Sequence, residues 1–277
     1  MIVVTGAYGF IGSNLVRRLC EQSKTVVAVD FVQRPYLDDL PVTFVHATEF
    51  YNNLEQYTLD AEVIFHEGAI SSTTETNVLA LLEKNVLCSI KLIDFCQREK
   101  IPLSYASSAS VYGNMSVEEW ENPNKLLNPL NRYAESKKVV DEYASFMLDS
   151  KIPLQGFRYF NVYGPNETHK AGQSSPHFAF TQQLHLTGKI KLFENSDKFF
   201  RDFVSVGQVI DFKLSMLSKG ISGIFDVGTA TPISFYSVAV EVCKQNGITD
   251  FNSVFEYIPM PDNLKDHYQQ YSKAVMY

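Results

Sequence analysis

The chain has 277 residues, 45% of them apolar, 13% aromatic and 20% charged, a composition that excludes a disordered, collagenous or disulfide-scaffold protein. Its 24 basic and 31 acidic side chains leave a formal charge of -7. That balance argues against non-specific binding to nucleic acid or to an anionic membrane, although a local basic pocket is compatible with it. The length suits one core domain with a smaller lobe. Cys20, Cys88, Cys96 and Cys243 show no C-x-x-C spacing and read as reduced core thiols. Met1 leads directly into Ile2-Val3-Val4 with no basic leader segment, and no apolar run reaches the ~18 residues of a bilayer span, so a cytoplasmic protein is expected.

In chain order, β-branched runs at 2–4, 25–29, 62–65, 103–106 and 155–159 alternate with helical patterns at 10–21, 80–98 and 131–148. This rhythm predicts an α/β fold, a doubly wound parallel sheet of the Rossmann type with a smaller C-terminal substrate lobe. Within the first helix Ile11, Leu15, Val16 and Leu19 recur at helical spacing. Past Gly164-Pro165 the rhythm loosens, and a second lobe is expected to begin there. The division is residues 1–162 with 201–227 for the dinucleotide, and 163–200 with 228–277 for the substrate. Glu118, Glu119 and Glu121 around Trp120 read as a solvated loop.

Gly6, Gly9 and Gly12 fall between a strand and a helix in Thr5-Gly6-Ala7-Tyr8-Gly9-Phe10-Ile11-Gly12. Gly6 suits a tight turn, Gly9 a close approach of backbone to pyrophosphate, and Gly12 close packing of helix on strand, with the helix N-terminus facing the anion. Asp30 ends the second strand where an acid accepts hydrogen bonds from the adenosine ribose, which favours NAD. Arg34 could offset a 2'-phosphate, so NADP stays open.

Tyr133 and Lys137, four apart, share a helix face. A phenol titrates near ~10 and must fall about three units, roughly 4 kcal/mol, to act as a base near neutrality; a neighbouring ammonium and a cationic nicotinamide supply much of that. Upstream, the strand ending Tyr105-Ala106-Ser107-Ser108-Ala109 brings hydroxyls to the carboxyl edge of the sheet.

Glycine loop, strand-end serine and Y-x-x-x-K together resemble the extended short-chain dehydrogenase/reductases. His66-Glu67-Gly68-Ala69, Ser71-Ser72-Thr73-Thr74-Glu75, Gly156-Phe157-Arg158-Tyr159-Phe160-Asn161-Val162-Tyr163-Gly164-Pro165 with Glu167 and His169-Lys170, Lys191-Leu192-Phe193-Glu194 and Arg201-Asp202-Phe203-Val204 narrow the resemblance to the ADP-glyceromanno-heptose 6-epimerases, over residues 1 to about 271. The resemblance implies a homo-oligomeric isomerase of carbohydrate metabolism and lipopolysaccharide biosynthesis. Such an enzyme inverts a carbinol centre of a nucleotide-sugar, C6 of an ADP-heptose, through transient oxidation by bound NADP. Phe10, Ile11, Asp30, Phe31, Glu67, Gly68, Ala69, Ser71, Asn85, Lys137 and Val162 would line the NADP site. Tyr133 and Lys170 would be the two acid/base groups, with Ser108 on the reacting oxygen. Ser72, Asn161, Phe193, Glu194, Asn195, Ser196, Arg201 and Tyr268 would hold the nucleotide-sugar; an arginine fork suits its diphosphate. Two departures fall on the sugar side. Ala179 stands where the family places a histidine, and Ala171-Gly172 where a serine follows the lysine.

Three alternatives share parts of this pattern. A 4,6-dehydratase would carry Thr-Asp-Glu where this chain has Ser108-Ala109-Ser110. A UDP- or GDP-sugar 4-epimerase needs only the Tyr, Lys and Ser set. A catalytically silent cofactor-binding sensor would have little use for Tyr133, Lys137 and Lys170 together. No metal site is expected, since the second histidine of H-E-x-x-H would fall at Ile70 and His177 and His185 are eight apart; both read as surface or packing histidines.

Overall fold

The computed structural model describes residues 1–122, 126–261 and 271–275. Its first half runs β1 (Ile2–Thr5), α1 (Phe10–Glu21), β2 (Val26–Asp30), β3 (Thr43–His46), α2 (Ala47–Asn52), α3 (Leu54–Thr58), β4 (Val63–His66), α4 (Val78–Leu81), α5 (Cys88–Glu99), β5 (Leu103–Ser108), α6 (Val117–Glu121) and α7 (Arg132–Ser145). The second half runs β6 (Leu154–Tyr159), β7 (Asn161–Tyr163), α8 (Pro176–Thr187), β8 (Ile190–Phe193), β9 (Phe200–Arg201), β10 (Phe203–Ser205), α9 (Val206–Ser218), β11 (Gly223–Val227), β12 (Ile233–Ser234), α10 (Phe235–Gln245) and β13 (Phe255–Ile258).

Seven strands form one parallel sheet in the order β11-β6-β5-β4-β1-β2-β3. The fold is the doubly wound α/β sheet of the Rossmann type. The chain leaves β1 on one side to make β2 and β3, then returns to make β4 on the other. The strand order therefore reverses between β1 and β4, and a crevice opens at their carboxyl ends.

Alternation along each strand sorts the two faces. Val3, Ile64, Leu103 and Leu154 pack under Leu92, Ile93, Phe95 and Cys96 of α5 and Val140 and Ala144 of α7. Ile2, Val4, Val63 and Phe65 face Leu15, Val16 and Leu19 of α1 and Val206 and Ile210 of α9. Strands buried on both sides read as continuous apolar runs, which is why β1, β2 and β4 were visible in the sequence.

Two sheet strands were not anticipated. Edge strand β3 buries only Val45 among its four residues, and β11 follows the point where the sequence rhythm breaks down. A separate apolar cluster joins α8, β8 and α10 through Phe180, Leu184, Ile190, Leu192, Val238 and Val242, beside the short pairs β8 with β13 and β9 with β12. Residues 117–121 are a helix and not the expected loop. Ser116 and Glu119 close a capping box, and Trp120 is buried against Tyr112 and Phe160.

The thiol reading needs correction as well. Cys96 and Cys243 are buried, but Cys20 and Cys88 are only partly so. His177 packs as expected, stacked 3.9 Å from the Tyr163 ring. No described helix is long and apolar enough to cross a membrane.

Candidate active site

The crevice begins at the loop after β1. Gly6 has φ +64°, and a Cβ there would stand 2.6 Å from the Gly68 nitrogen, so glycine alone lets this loop pass the one following β4. At Gly12 a Cβ would meet the Gly6 carbonyl oxygen at 2.0 Å, which is why helix and loop close only without a side chain. Gly9 caps α1 with no side-chain acceptor, and no acid sits in the first turn. The helix N–H groups and dipole are thereby left to an anion.

At the end of β2, Asp30 accepts hydrogen bonds from the Tyr8 nitrogen at 2.9 Å and the Phe31 nitrogen at 2.7 Å. Arg34 donates to the Tyr8 carbonyl at 3.2 Å, and the Lys84 ammonium lies 5.2 Å from the Phe31 ring centre. Arg34 is thus a groove side chain.

Asn131 caps α7 by accepting from the Ala134 nitrogen at 2.9 Å. The helix then turns Tyr133, Lys137 and Asp141 onto one buried face. Lys137 Nζ donates to the Ala106 carbonyl at 2.8 Å and lies 5.9 Å from the Tyr133 ring centre. Burial pulls this ammonium down to about 8, against the attraction of Asp141 and Glu67. Burial pushes the Tyr133 phenol up, while its hydrogen bond with Ser108 works in the opposite sense. Protein groups alone thus leave Tyr133 above an ordinary phenol; the expected lowering depends on a cationic ring beside it.

Lys170 reaches the groove from beyond β7. Its ammonium is 3.6 Å from Glu167 Oε2 and 4.7 Å from the Phe10 ring centre, and burial lowers its pKa while Glu167 raises it. Glu167 is itself fixed, accepting from the Gly164 nitrogen at 3.2 Å, the Ser175 nitrogen at 2.6 Å and the Ser175 hydroxyl at 2.7 Å.

These groups line a single groove of about 420 Å³. Gly6, Gly9, Phe10, Ile11, Gly12, Asp30, Phe31, Glu67, Gly68, Ala69, Ser71, Tyr133, Lys137 and Lys170 are all on its wall. Four basic side chains, Arg34, Lys84, Lys137 and Lys170, face two acidic ones, Asp30 and Glu67. A local cationic pocket is thus cut into an anionic chain.

Two residues expected in this wall lie behind it. Asn85, fully buried in the π-helical turn Leu82–Leu87, binds both the amide and the carbonyl of Ile70 and the Ser136 hydroxyl. It clamps the lining segment to α7 without entering the groove. Val162 pairs with Val204 and packs into the core. Ser108 does not line the groove either; its oxygen accepts from the Ser110 amide and hydroxyl, and it hydrogen-bonds with Tyr133. Ser107 does line it, buried and with its hydroxyl unpartnered among the described residues.

The described residues expected to hold the sugar are dispersed, and none of them lines the groove. Ser72 bonds Thr74 and accepts from Gln173 at 2.6 Å. Asn161 donates to the Asp202 carbonyl, and buried Arg201 is in β9. Phe193 ends β8 and leads into a turn through Glu194, Asn195 at φ +62° and Ser196. Tyr268 lies outside the described residues.

Sequence reasoning gave no groove role to Tyr51, Lys84, Cys88 and Tyr159, all on this wall. Lys84 and Cys88 share a helical spacing with no motif around them, and Tyr51 follows the edge strand that was not anticipated. Among the described residues no cluster of three metal-ligating side chains occurs.

A family model for the NAD dependent epimerase/dehydratase family matches residues 2–228. The chain belongs to that family. Among solved structures, an ADP-L-glycero-D-manno-heptose-6-epimerase from Helicobacter pylori aligns with TM-score 0.82 and 27% identity, over 98% of this chain and 91% of that one. A UDP-N-acetylglucosamine 4-epimerase from Methanobrevibacter ruminantium gives TM-score 0.86 and 21% identity, over 99% and 89%. A UDP-glucose 4-epimerase from Thermus thermophilus in complex with NAD gives 0.80 and 24%, over 99% and 90%. A family member needs a nicotinamide dinucleotide, and these residues fit one. The Gly6 and Gly12 positions exclude a side chain, the α1 N-terminus is uncapped, and Ser107 presents an unpartnered buried hydroxyl to the groove.

Proposed function

We propose that this family member is a nucleotide-sugar epimerase that inverts a carbinol centre by transient oxidation, with an ADP-linked heptose inverted at C6 as the substrate. The observation that carries the reading is the convergence of Tyr133, Lys137 and Lys170 on one cationic groove above a glycine loop. The 27% identity over nearly the whole chain to the Helicobacter heptose epimerase supports the heptose. A dinucleotide held there would supply the hydride acceptor and donor. Tyr133, hydrogen-bonded to Ser108, would take the hydroxyl proton from the sugar, with Lys137 holding charge beside it. Lys170, placed by Glu167 and Phe10, would give or take the proton once the keto sugar has turned its other face. Arg34 and Lys84, on the groove wall with Asp30, favour NADP over NAD.

Exposed Val78 and Leu79 of α4 and Leu82 and Leu87 of the π-helical turn that follows it support a homo-oligomer. The test is incubation with ADP-heptose and, in parallel, UDP- and GDP-hexoses, followed by NMR. Inversion of the heptose with no net change in cofactor redox state is the expected result. Inversion of a hexose at C4 alone would assign the protein to the 4-epimerases, and binding of dinucleotide with no sugar altered would leave a sensor.

A further inference from the structure

Lys213 is fully buried on α9, an element that no motif in the sequence touches. Its ammonium pairs with Glu67 Oε1 and donates to the Tyr159 hydroxyl at 2.7 Å, and that hydroxyl donates to Glu67 Oε2 at 2.9 Å. Around it the rings of Phe65, Phe157 and Tyr159 have their centres 5.3 to 5.4 Å away. An ion pair in so apolar a setting is weak support for stability, since residues of similar volume and no charge fill such space as well. Its members instead point to the groove, where Glu67 and Tyr159 form part of the wall shared with Tyr133 and Lys137.

Of the charged groups on the elements around it, Lys137 comes from α7 with Asp141 one turn on, Arg158 of β6 points to the opposite face of the sheet, where it pairs with Asp141 at 2.8 Å, and His66 of β4 is kept neutral by burial. Lys213 is the partner that offsets the Glu67 carboxylate. We infer that Lys213 is a positioning residue for the redox step: it ties Glu67 and Tyr159 into the groove floor and cancels the carboxylate's charge, so that the oxidised nicotinamide is not favoured over the reduced one. A nicotinamide held there would lose its positive charge on accepting hydride, while Tyr133 would take the hydroxyl proton. An uncompensated anion in the wall would oppose that change. The inference rests on the dinucleotide reading given above.

The test is calorimetric binding of NADP⁺ and NADPH to the wild-type protein, to Lys213→Met and to Glu67→Gln/Lys213→Met. Lys213→Met is expected to shift the affinity ratio towards the oxidised form by at least about fivefold, and the double variant to restore it. Glu67→Gln alone, which leaves the ammonium unbalanced, should shift the ratio the other way and decides the matter if Lys213→Met does not fold. A merely structural lysine would weaken both forms alike. Unchanged ratios in folded variants that bind both forms overturn the inference. Wild-type protein that binds neither these two nor NAD⁺ and NADH overturns the functional reading, and this inference with it.

Discussion

Tyr133 and Lys170 carry the proposed proton transfers. Tyr133→Phe and Lys170→Ala are each expected to lower turnover by at least about a hundredfold while dinucleotide affinity changes little; steady-state rates beside calorimetry separate the two. His66 offers a different measurement. Its Nδ1 meets the Thr5 hydroxyl at 2.7 Å and its Nε2 the Ser89 hydroxyl at 3.0 Å, and burial pushes its pKa from 6.5 down to about 3. Between those values the unfolded chain binds a proton that the folded chain refuses, so stability falls as pH drops through that window. Urea midpoints measured across it should decline steeply for the wild type and less for His66→Gln; parallel curves would remove His66 from the account. The glycine loop, Asp30, Tyr133 and Lys137 were legible because their chemistry depends on short spacings. Lys213 was not, because its partner Glu67 is 146 positions away.

Helix α7 shows how an element extends a motif. The Y-x-x-x-K spacing continues one further turn to Asp141, buried and bound by Arg158 Nε at 2.8 Å and by the Tyr105 hydroxyl at 3.0 Å. Arg158 in turn donates to the Tyr112 hydroxyl at 2.8 Å, which donates to Asp226 at 2.7 Å. Asp141→Ala would leave a partly buried guanidinium with only its Tyr112 partner, at a cost of about 2–3 kcal/mol, and the urea unfolding midpoint should fall accordingly. A loss within about 0.5 kcal/mol would mean that Arg158 is solvated in some other way. Helical spacing was enough to place Tyr133 and Lys137 together. It could not show that β5 and β6 bring Tyr105 and Arg158 under the same face, since strand neighbours are chosen by the whole sheet.

At the scale of the molecule, Asp202 ties three distant segments together. Fully buried between β9 and β10, it accepts from the Thr229 nitrogen and hydroxyl at 2.7 Å each, the Ala230 nitrogen at 2.8 Å and the Ala274 nitrogen at 2.9 Å. Asp202→Ala should leave those amides unsatisfied, each costing about 1–3 kcal/mol. Amide exchange at 229–230 and 274 is expected to accelerate more than exchange in β1 or β4. Uniform acceleration across the sheet would show that Asp202 supports global stability and not this junction. The Arg201-Asp202-Phe203-Val204 block was noticed for its arginine, whereas the structure gives the joining role to its aspartate.

Length, apolar period and the glycine loop determined the doubly wound sheet and the nucleotide crevice, because an amphipathic helix or a doubly buried strand announces itself within a dozen residues. The edge strand β3, the late strand β11, the placement of Asn85 and Val162 behind the groove wall, and the pairing of Lys213 with Glu67 were decided only by tertiary structure. Each depends on which segments the sheet order makes neighbours, and burial, the quantity that sets the charge state of a lysine or a histidine, belongs to that arrangement and not to the local sequence.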